Sequence, residues 1–359
     1  MDNKKTKPTL KVFLLSVALM TLTVNCVNAQ DNSIKKTVID TVKIAEEAHK
    51  LISLPEPTFK PFQPQEIDST QMADLGFDQV YENDTLKFTM RDGKQLFARR
   101  YSFKSNTTIV LLHGVLSSSY TMNRTAGLLR DAAGAEVISI DFRGHGQSDG
   151  NPGDVDYIDQ YSDDVSDVIS AVKKNKPGGK IIIAAHSMGG GIALRYAMKK
   201  NAPNIDGYLL FAPLLGQNAP TMRKPAATTD TTIEPFIKIH IQRIIGLKMY
   251  NSIGIHKYDS LPVLFFNLPK EMGLNKYTYR ANESMAPEDY KAGLKAVKKP
   301  LLVIVGSKDE AFVASKVERA VTENSNGKVI IIDGATHNGV RHSKKAMEEV
   351  KKWFLKLKL

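Results

Sequence analysis

The chain reads as an α/β protein, a mostly parallel sheet with helices on both faces, and three observations predict it. Short apolar runs such as Ile181-Ile182-Ile183-Ala184-Ala185 and Leu301-Leu302-Val303-Ile304-Val305 recur along the chain. They are apolar at every position, as strands buried from both sides are. Between them stand stretches of helical periodicity, and this alternation of strand and helix is the rhythm of units whose strands run parallel. With 359 residues, 42% of them apolar, the chain can bury one large core or one core with a sizeable insertion. No internal repeat at a solenoid period is present.

The elements follow in order. From Thr85, Leu86, Phe88 and Met90 alternate with polar residues, Arg91-Asp92-Gly93-Lys94 makes a turn, and Gln95 to Tyr101 returns, which predicts a hairpin. Strand 108–112, helix 120–132, strand 136–141, helix 157–175, strand 180–186, helix 188–200 and strand 206–212 come next. The rhythm breaks at Pro213 and resumes at Pro300 with strand 301–305, helix 312–324, strand 328–332 and a last helix over 340–356. That helix carries Ala346, Val350, Trp353, Phe354 and Leu357 on one side. Such a stripe reads as a face docked on the sheet rather than as a helix lying on a membrane. The core is therefore split into 81–214 and 299–359 around a cap at 215–298. The cap holds Ile233, Phe236, Ile237, Ile241, Ile244 and Ile245 and the aromatic residues Phe265, Phe266, Tyr277 and Tyr279. Ile237, Ile239 and Ile241 also alternate, which leaves helix and strand both open there.

Ahead of the core, Lys4, Lys5, Lys7 and Lys11 precede an apolar run from Val12 to Val24, and Val27-Asn28-Ala29 offers a small-Xaa-small cleavage site before Gln30. This predicts a secretory signal over 1–29 and an exported, periplasmic or extracellular protein. The run is too short to cross about 30 Å of hydrocarbon. Cys26 is the only cysteine, and cleavage after Ala29 removes it. The alternative makes Cys26 the acylated first residue of a lipoprotein, but Thr23-Val24-Asn25 lacks the usual leucine three before and the small residue just before. Residues 30–80 read as a helix over 31–53 followed by a linker interrupted by Pro55, Pro57, Pro61 and Pro64, a spacer between signal and domain. Without residues 1–29 the formal charge falls from +11 to +8, 45 Lys and Arg against 37 Asp and Glu. A moderately basic surface is compatible with transient contact with anionic membranes. The charge is scattered, however, and no arginine-rich or aromatic nucleic-acid module is present, so it reads as solubilising charge with no nucleic-acid partner.

The most informative residues are Ala185-His186-Ser187-Met188-Gly189, where a strand runs into the small-residue helix Gly190-Gly191-Ile192-Ala193-Leu194. A serine at the tip of a strand-turn-helix is held above the sheet with the positive end of the new helix beneath it, the setting of acyl transfer. Gly146-Gln147-Ser148-Asp149-Gly150 matches the Gly-Xaa-Ser-Xaa-Gly pattern literally, whereas the elbow has Ala185 at its first place. Asn151-Pro152-Gly153 breaks any helix after Ser148, so Ser187 is the expected nucleophile and Ser148 a loop residue. A serine needs an imidazole to take its proton and a carboxylate to orient that imidazole. Both are expected at the C-terminal ends of later strands, the edge at which open parallel sheets form their crevice. Asp309 follows strand 301–305 and His337 follows strand 328–332; Glu310 adjoins Asp309 and is the competing acid. The order Ser187, Asp309, His337 is that of the α/β-hydrolases. Backbone N–H groups of Met188 and Val115 are the expected oxyanion donors. No metal or cofactor is called for.

His113-Gly114, the stretch Asp141-Phe142-Arg143-Gly144-His145-Gly146-Gln147-Ser148, the elbow, Gly306-Ser307-Lys308-Asp309 and Gly334-Ala335-Thr336-His337 together resemble the monoacylglycerol lipase and lysophospholipase branch of the α/β-hydrolases, also called serine aminopeptidase-like. The resemblance covers roughly residues 85 to 357. It implies the α/β-hydrolase fold with an eight-stranded sheet, a cap inserted after the sixth strand, and hydrolysis of esters with one long acyl chain without metal or cofactor. The substrate is then a small acyl ester or lipid, with no obligate protein partner. Arg143 and His145 fit a structural loop of that family. Two other readings stay open: amide or peptide cleavage or acyl transfer on the same triad, with Glu234, Glu271, Glu283 or Glu288 of the cap to grip an amino terminus, and a catalytically silent hydrolase fold that only binds.

Overall fold

The computed structural model describes residues 41–62, 66–223 and 234–357. The expected signal at 1–29, its cleavage site and Cys26 fall outside these residues, as does Ile233. The main sheet has eight strands in the spatial order β1(Asp84–Thr89), β2(Gln95–Tyr101), β4(Glu136–Ile140), β3(Thr107–Leu112), β5(Lys180–His186), β6(Gly207–Phe211), β10(Leu301–Gly306) and β11(Lys328–Ile332). The β1–β2 hairpin is antiparallel to its neighbours, and every pair from β4 to β11 is parallel. Every residue of β3, β6 and β10 is buried, which is why these runs show no alternation in the sequence.

Helices α3(Asn123–Ala133) and α10(Lys344–Leu357) pack on each other. A second group joins α4(Gln160–Asn175), α5(Met188–Met198), α8(Tyr290–Ala296) and α9(Ala314–Asn324). The expected stripe of α10 is inside, with Ala346, Val350, Trp353 and Phe354 buried. A Cβ built on Gly207 of β6 would stand 3.1 Å from the Trp353 ring. The last helix starts later than its apolar pattern suggests, because Gly339–His342 forms a 3₁₀ turn and α10 begins at Lys344.

The segment between β6 and β10 contains an antiparallel sheet of its own, β7(Ile237–Ile239), β8(Pro262–Phe266) and β9(Lys276–Thr278), with helices α6(Ile241–Ser252) and α7(Tyr279–Ser284). The conflict over Ile237, Ile239 and Ile241 resolves at His240. The first two are strand residues, and the His240 side chain caps α6 by accepting the Arg243 N–H at 3.2 Å. Arg280 holds this region to the core through Asp154 at 2.7 Å.

The stretch before β1 is packed, not a free spacer. Helix α1(Thr41–Ile52) buries Ala48 and Ile52, and a Cβ on Gly246 of α6 would stand 2.8 Å from the Ala48 carbonyl. Prolines keep the following residues from forming helix, so their carbonyls need outside donors. The region around α6 supplies them: Arg243 donates to Ile52 and Leu54, His240 to Leu54, and Lys238 to Thr58 at 2.7 Å.

Close packing makes the small residues of α5 testable. A Cβ on Gly191 would meet the Met285 carbonyl at 2.3 Å and the Leu214 carbonyl at 2.7 Å, and backbone cannot step aside as a side chain can. Gly191→Ala is expected to lower unfolding free energy by about 1–3 kcal/mol, read as an earlier denaturant midpoint at unchanged slope.

Candidate active site

Strand β5 ends at His186 and α5 begins at Met188, so Ser187 alone carries the reversal. Its backbone sits at φ 53°, ψ −117°, where a residue bearing a Cβ is strained. Three backbone bonds hold it: Ser187 N–H donates to Phe211 at 3.1 Å, and Gly190 and Leu214 N–H both donate to the Ser187 carbonyl at 2.9 Å. The turn fits because its neighbours are small. A Cβ on Gly189 would stand 2.7 Å from the carbonyls of Leu112 and His113, and one on Gly114 would stand 3.2 Å from the Ser187 Cβ. Ala185 lies within β5, paired with Leu112 and Leu210, where its methyl group is accommodated. Ser148 is elsewhere: its hydroxyl donates to the Asp141 carbonyl at 2.7 Å and accepts the Phe97 N–H at 2.8 Å, closing a loop.

Asp309 and His337 leave the adjacent ends of β10 and β11 and meet. Asp309 is fully buried. Its Oδ1 accepts the N–H groups of Ala311 and Phe312 at 2.8 and 2.7 Å, and its Oδ2 accepts the His337 Nδ1–H at 3.0 Å. Glu310 turns to the same residue by another route, its Oε2 accepting the His337 backbone N–H at 2.9 Å. The His337 carbonyl accepts His186 Nε2–H at 3.0 Å. Backbone and Nδ1 are thus all committed, and Nε2 is the nitrogen left for chemistry. The imidazole rests between the rings of His186 at 4.8 Å and Phe312 at 5.3 Å. His186 therefore ties the strand that delivers Ser187 to the loop that delivers His337. Among the described residues no hydrogen bond of the Ser187 hydroxyl is formed.

Met188 opens α5, so its N–H has no acceptor within the helix. Val115 belongs to the segment that Gly114 presses against the elbow. The next residue, Leu116, is held at φ 57°, and its N–H donates to the Tyr277 hydroxyl of β9 at 2.8 Å. That hydroxyl in turn donates to His145 Nε2 at 2.8 Å, while His145 Nδ1–H donates to the Arg143 carbonyl at 2.9 Å. Arg143 is locked by a bidentate pair with Asp164 at 2.7 and 3.0 Å and by Asp92 at 2.6 Å. His113 works in the same way, Nδ1–H donating to the Gly114 carbonyl at 2.7 Å and Nε2 accepting the Phe142 N–H at 3.0 Å. Sequence reasoning assigned no individual task to His113, His186 or Tyr277. A histidine at the C-terminal end of each of the parallel strands β3 and β5 was the available signal. Of the cap glutamates, Glu234 sits on Lys238 at 2.7 Å, and Glu283 and Glu288 share Lys248 at 3.4 and 3.3 Å. Among the described residues no three His, Cys, Asp or Glu side chains are grouped so as to hold a metal ion.

A buried carboxylate on an imidazole and a strained serine at a helix N-terminus are the kinds of group that acyl-transfer chemistry requires. A family model described as serine aminopeptidase, S33, matches residues 104–260. A monoglyceride lipase homolog of Monkeypox virus is 26% identical over 231 residues, 62% of this chain and 77% of that protein. The chain has the α/β-hydrolase fold. The AB hydrolase superfamily protein YisY of Bacillus subtilis is 29% identical to this hydrolase over 185 residues, 49% of the chain and 65% of that protein. The solved structure of ferulic acid bound to Est1E from Butyrivibrio proteoclasticus shares the fold, with TM-score 0.54, 20% identity, and coverage of 75% of this chain and 98% of that one. The matched region of the hydrolase includes Val115, Ser187 and Met188 and ends before Asp309 and His337, so the carboxylate–imidazole pair is a finding of the geometry.

The hydrolase keeps several histidines neutral by burial, which pushes His113 down to about 4, His145 to about 3 and His342 to about 2. Each takes up its proton near pH 6.5 once unfolded, so the unfolded chain binds more protons as pH falls from about 6.5 toward 4, and stability is lost over that interval by up to about 1.4 kcal/mol per pH unit for each group. Thermal melts are expected to show a clearly lower midpoint at pH 5 than at pH 7.5; equal midpoints would mean that these histidines are charged in the folded state.

Proposed function

We propose that this α/β-hydrolase is a serine esterase in which Ser187 attacks the carbonyl carbon of a carboxylic ester. His337 Nε2 takes the hydroxyl proton, and Asp309 keeps the opposite nitrogen protonated and stabilises the imidazolium. The alkoxide oxygen of the tetrahedral intermediate is received by the backbone N–H groups of Met188 and Val115. His337 then gives its proton to the departing alcohol, leaving an acyl-enzyme on Ser187. Water, deprotonated by the same imidazole, releases the acid and restores the serine. The observation that carries this reading is the 3.0 Å bond from His337 Nδ1 to Asp309, which leaves Nε2 as the ring nitrogen free to take a proton.

The substrate class in this reading is an ester with one fatty acyl or aromatic chain, such as a monoacylglycerol or lysophospholipid. Support comes from the name of the viral relative and from the apolar side chains of the region between β6 and β10, with Phe265, Phe266 and Tyr277 buried. Three of the four cap glutamates, Glu234, Glu283 and Glu288, already carry a lysine, which favours esters over peptides and leaves Glu271 as the acid to grip an amino terminus in the alternative reading. The reading also includes export by cleavage of residues 1–29. Amino-terminal sequencing of the released protein is expected to begin at Gln30; an acylated Cys26 would replace it with a lipoprotein.

A fluorophosphonate probe is expected to label the wild-type protein and to leave Ser187→Ala unlabelled. On p-nitrophenyl esters of graded chain length, Asp309→Asn is expected to lower kcat by about 10³–10⁴-fold, the size of effect seen when a triad carboxylate is neutralised. Aminoacyl anilides should be poor substrates. Labelling that survives Ser187→Ala would end the assignment of the nucleophile, and an unlabelled wild type would favour a silent binding protein.

A further inference from the structure

The chain ahead of the first strand reaches the loop that carries His337. Helix α2(Ser69–Leu75) is too short to persist alone. A capping box fixes its start, Gln71 N–H donating to Asp68 Oδ1 at 2.8 Å and Asp68 N–H to Gln71 Oε1 at 3.0 Å, and Gly76 ends it at φ 88°. Its last turn packs on residues 336–342. The Asp74 carboxylate accepts the Thr336 hydroxyl proton, and the same hydroxyl oxygen accepts the Gly339 N–H at 2.9 Å. Arg341 donates to the Leu75 carbonyl at 3.3 Å. The His342 ring lies so close to Gly76 that a Cβ there would stand 2.4 Å from its Cε1. From the other side Arg124 donates to the Ala73 carbonyl at 3.1 Å and pairs with Asp78 at 2.6 Å.

Thr336 immediately precedes His337, and a threonine hydroxyl has one proton to give. Giving it to Asp74 pins the residue before His337, while the Glu310 carboxylate holds the His337 N–H. Arg341 adds a second link. It is 3% exposed, and among the described residues no carboxylate lies within ion-pair distance of it. Its partners are the carbonyls of Thr121, Leu75 and Asn338, the Asn338 amide oxygen and the Met122 sulfur. Asp74 is the neighbouring charge that favours the buried cation. Loss of the Asp74 carboxylate therefore frees the Thr336 hydroxyl and removes the charge that offsets Arg341.

We propose that Asp74 is a positioning residue, acting through Thr336 to set where the His337 imidazole stands relative to Ser187. This rests on the roles given to Ser187 and His337 above. Displacement of a reacting group by about 1 Å lowers rate by about 10²-fold, and Asp74 acts through the Thr336 hydroxyl rather than on the substrate, so the effect belongs in kcat and not in KM.

The test uses the full chain, p-nitrophenyl ester kinetics, the rate of fluorophosphonate labelling and thermal melts. Asp74→Ala and Thr336→Val are each expected to lower kcat and the labelling rate by about 10–100-fold, with KM within a factor of about two. The double variant is expected to be no slower than the worse single one, because both remove one bond. Asp74→Asn keeps an acceptor and Thr336→Ser keeps the donor, so both are expected to recover most of the rate. Wild-type kcat in Asp74→Ala, a change confined to KM, or equal losses in the alanine and asparagine variants would overturn the proposal. If Asp74→Ala melts below the assay temperature, Thr336→Val against Thr336→Ser decides by the same criterion. A wild type that neither labels nor hydrolyses esters instead removes the esterase reading itself.

Discussion

A helix can leave the end of a buried strand without an intervening loop only where it can lie against the backbone of its neighbours, and that contact governs the rest of this molecule. The first turn of α5 touches the carbonyls of Leu112 and His113 at Gly189 and those of Leu214 and Met285 at Gly191. Any side chain at these places would lift the helix from the sheet. With the helix seated, Ser187 has no conformation open to it but a strained one, the Met188 N–H faces away from any helical acceptor, and Gly114 brings the segment of Val115 alongside. The same contact receives the chain at 285–286, so the region between β6 and β10 takes its place from a packing requirement of the elbow.

Around this point the protein uses imidazoles as brackets. His113, His145 and His186 each donate to one carbonyl, to Gly114, Arg143 and His337 respectively. Burial pushes all three well below the ordinary histidine range, so their tautomers are settled by their neighbours and none competes for the proton. His337 differs in one respect, a carboxylate on Nδ1. The contrast separates the imidazole paired with a carboxylate from those that hold loops in place.

Much of this was readable in the chain because the physics is local. Strands apolar at every position declare a sheet covered on both faces, and β11 falls at 328–332 as its pattern predicts. Ser187 stood out from Ser148 because a helix can follow one and Pro152 forbids it after the other. Asp309 and His337 were found because each comes just after a strand of the same sheet, and two parallel neighbours deliver such residues to one edge. The remainder was illegible for physical reasons too. Strands β7 and β9 have three residues each, too few for a period to show. The chain at 52–58 is held through its carbonyls, which no side-chain pattern records. Asp74 and Thr336 meet across nearly the whole sequence, and each reads locally as an ordinary polar residue.

The register of the central sheet has a consequence for how the chain acquires its shape. Strand β6 pairs on one side with β5, which precedes it closely, and on the other with β10, Tyr208 opposite Leu301 and Phe211 opposite Ile304. All of 212–300 is synthesised in between. Until that intervening chain has been made, the sheet ends at an open edge of five buried-type residues, Gly207–Phe211, with N–H and C=O groups unpaired. Contacts this distant along the chain form slowly, and an apolar edge left waiting is a site for wrong association. The insertion between β6 and β10 thus also sets how long the nascent half-sheet stays vulnerable to its neighbours.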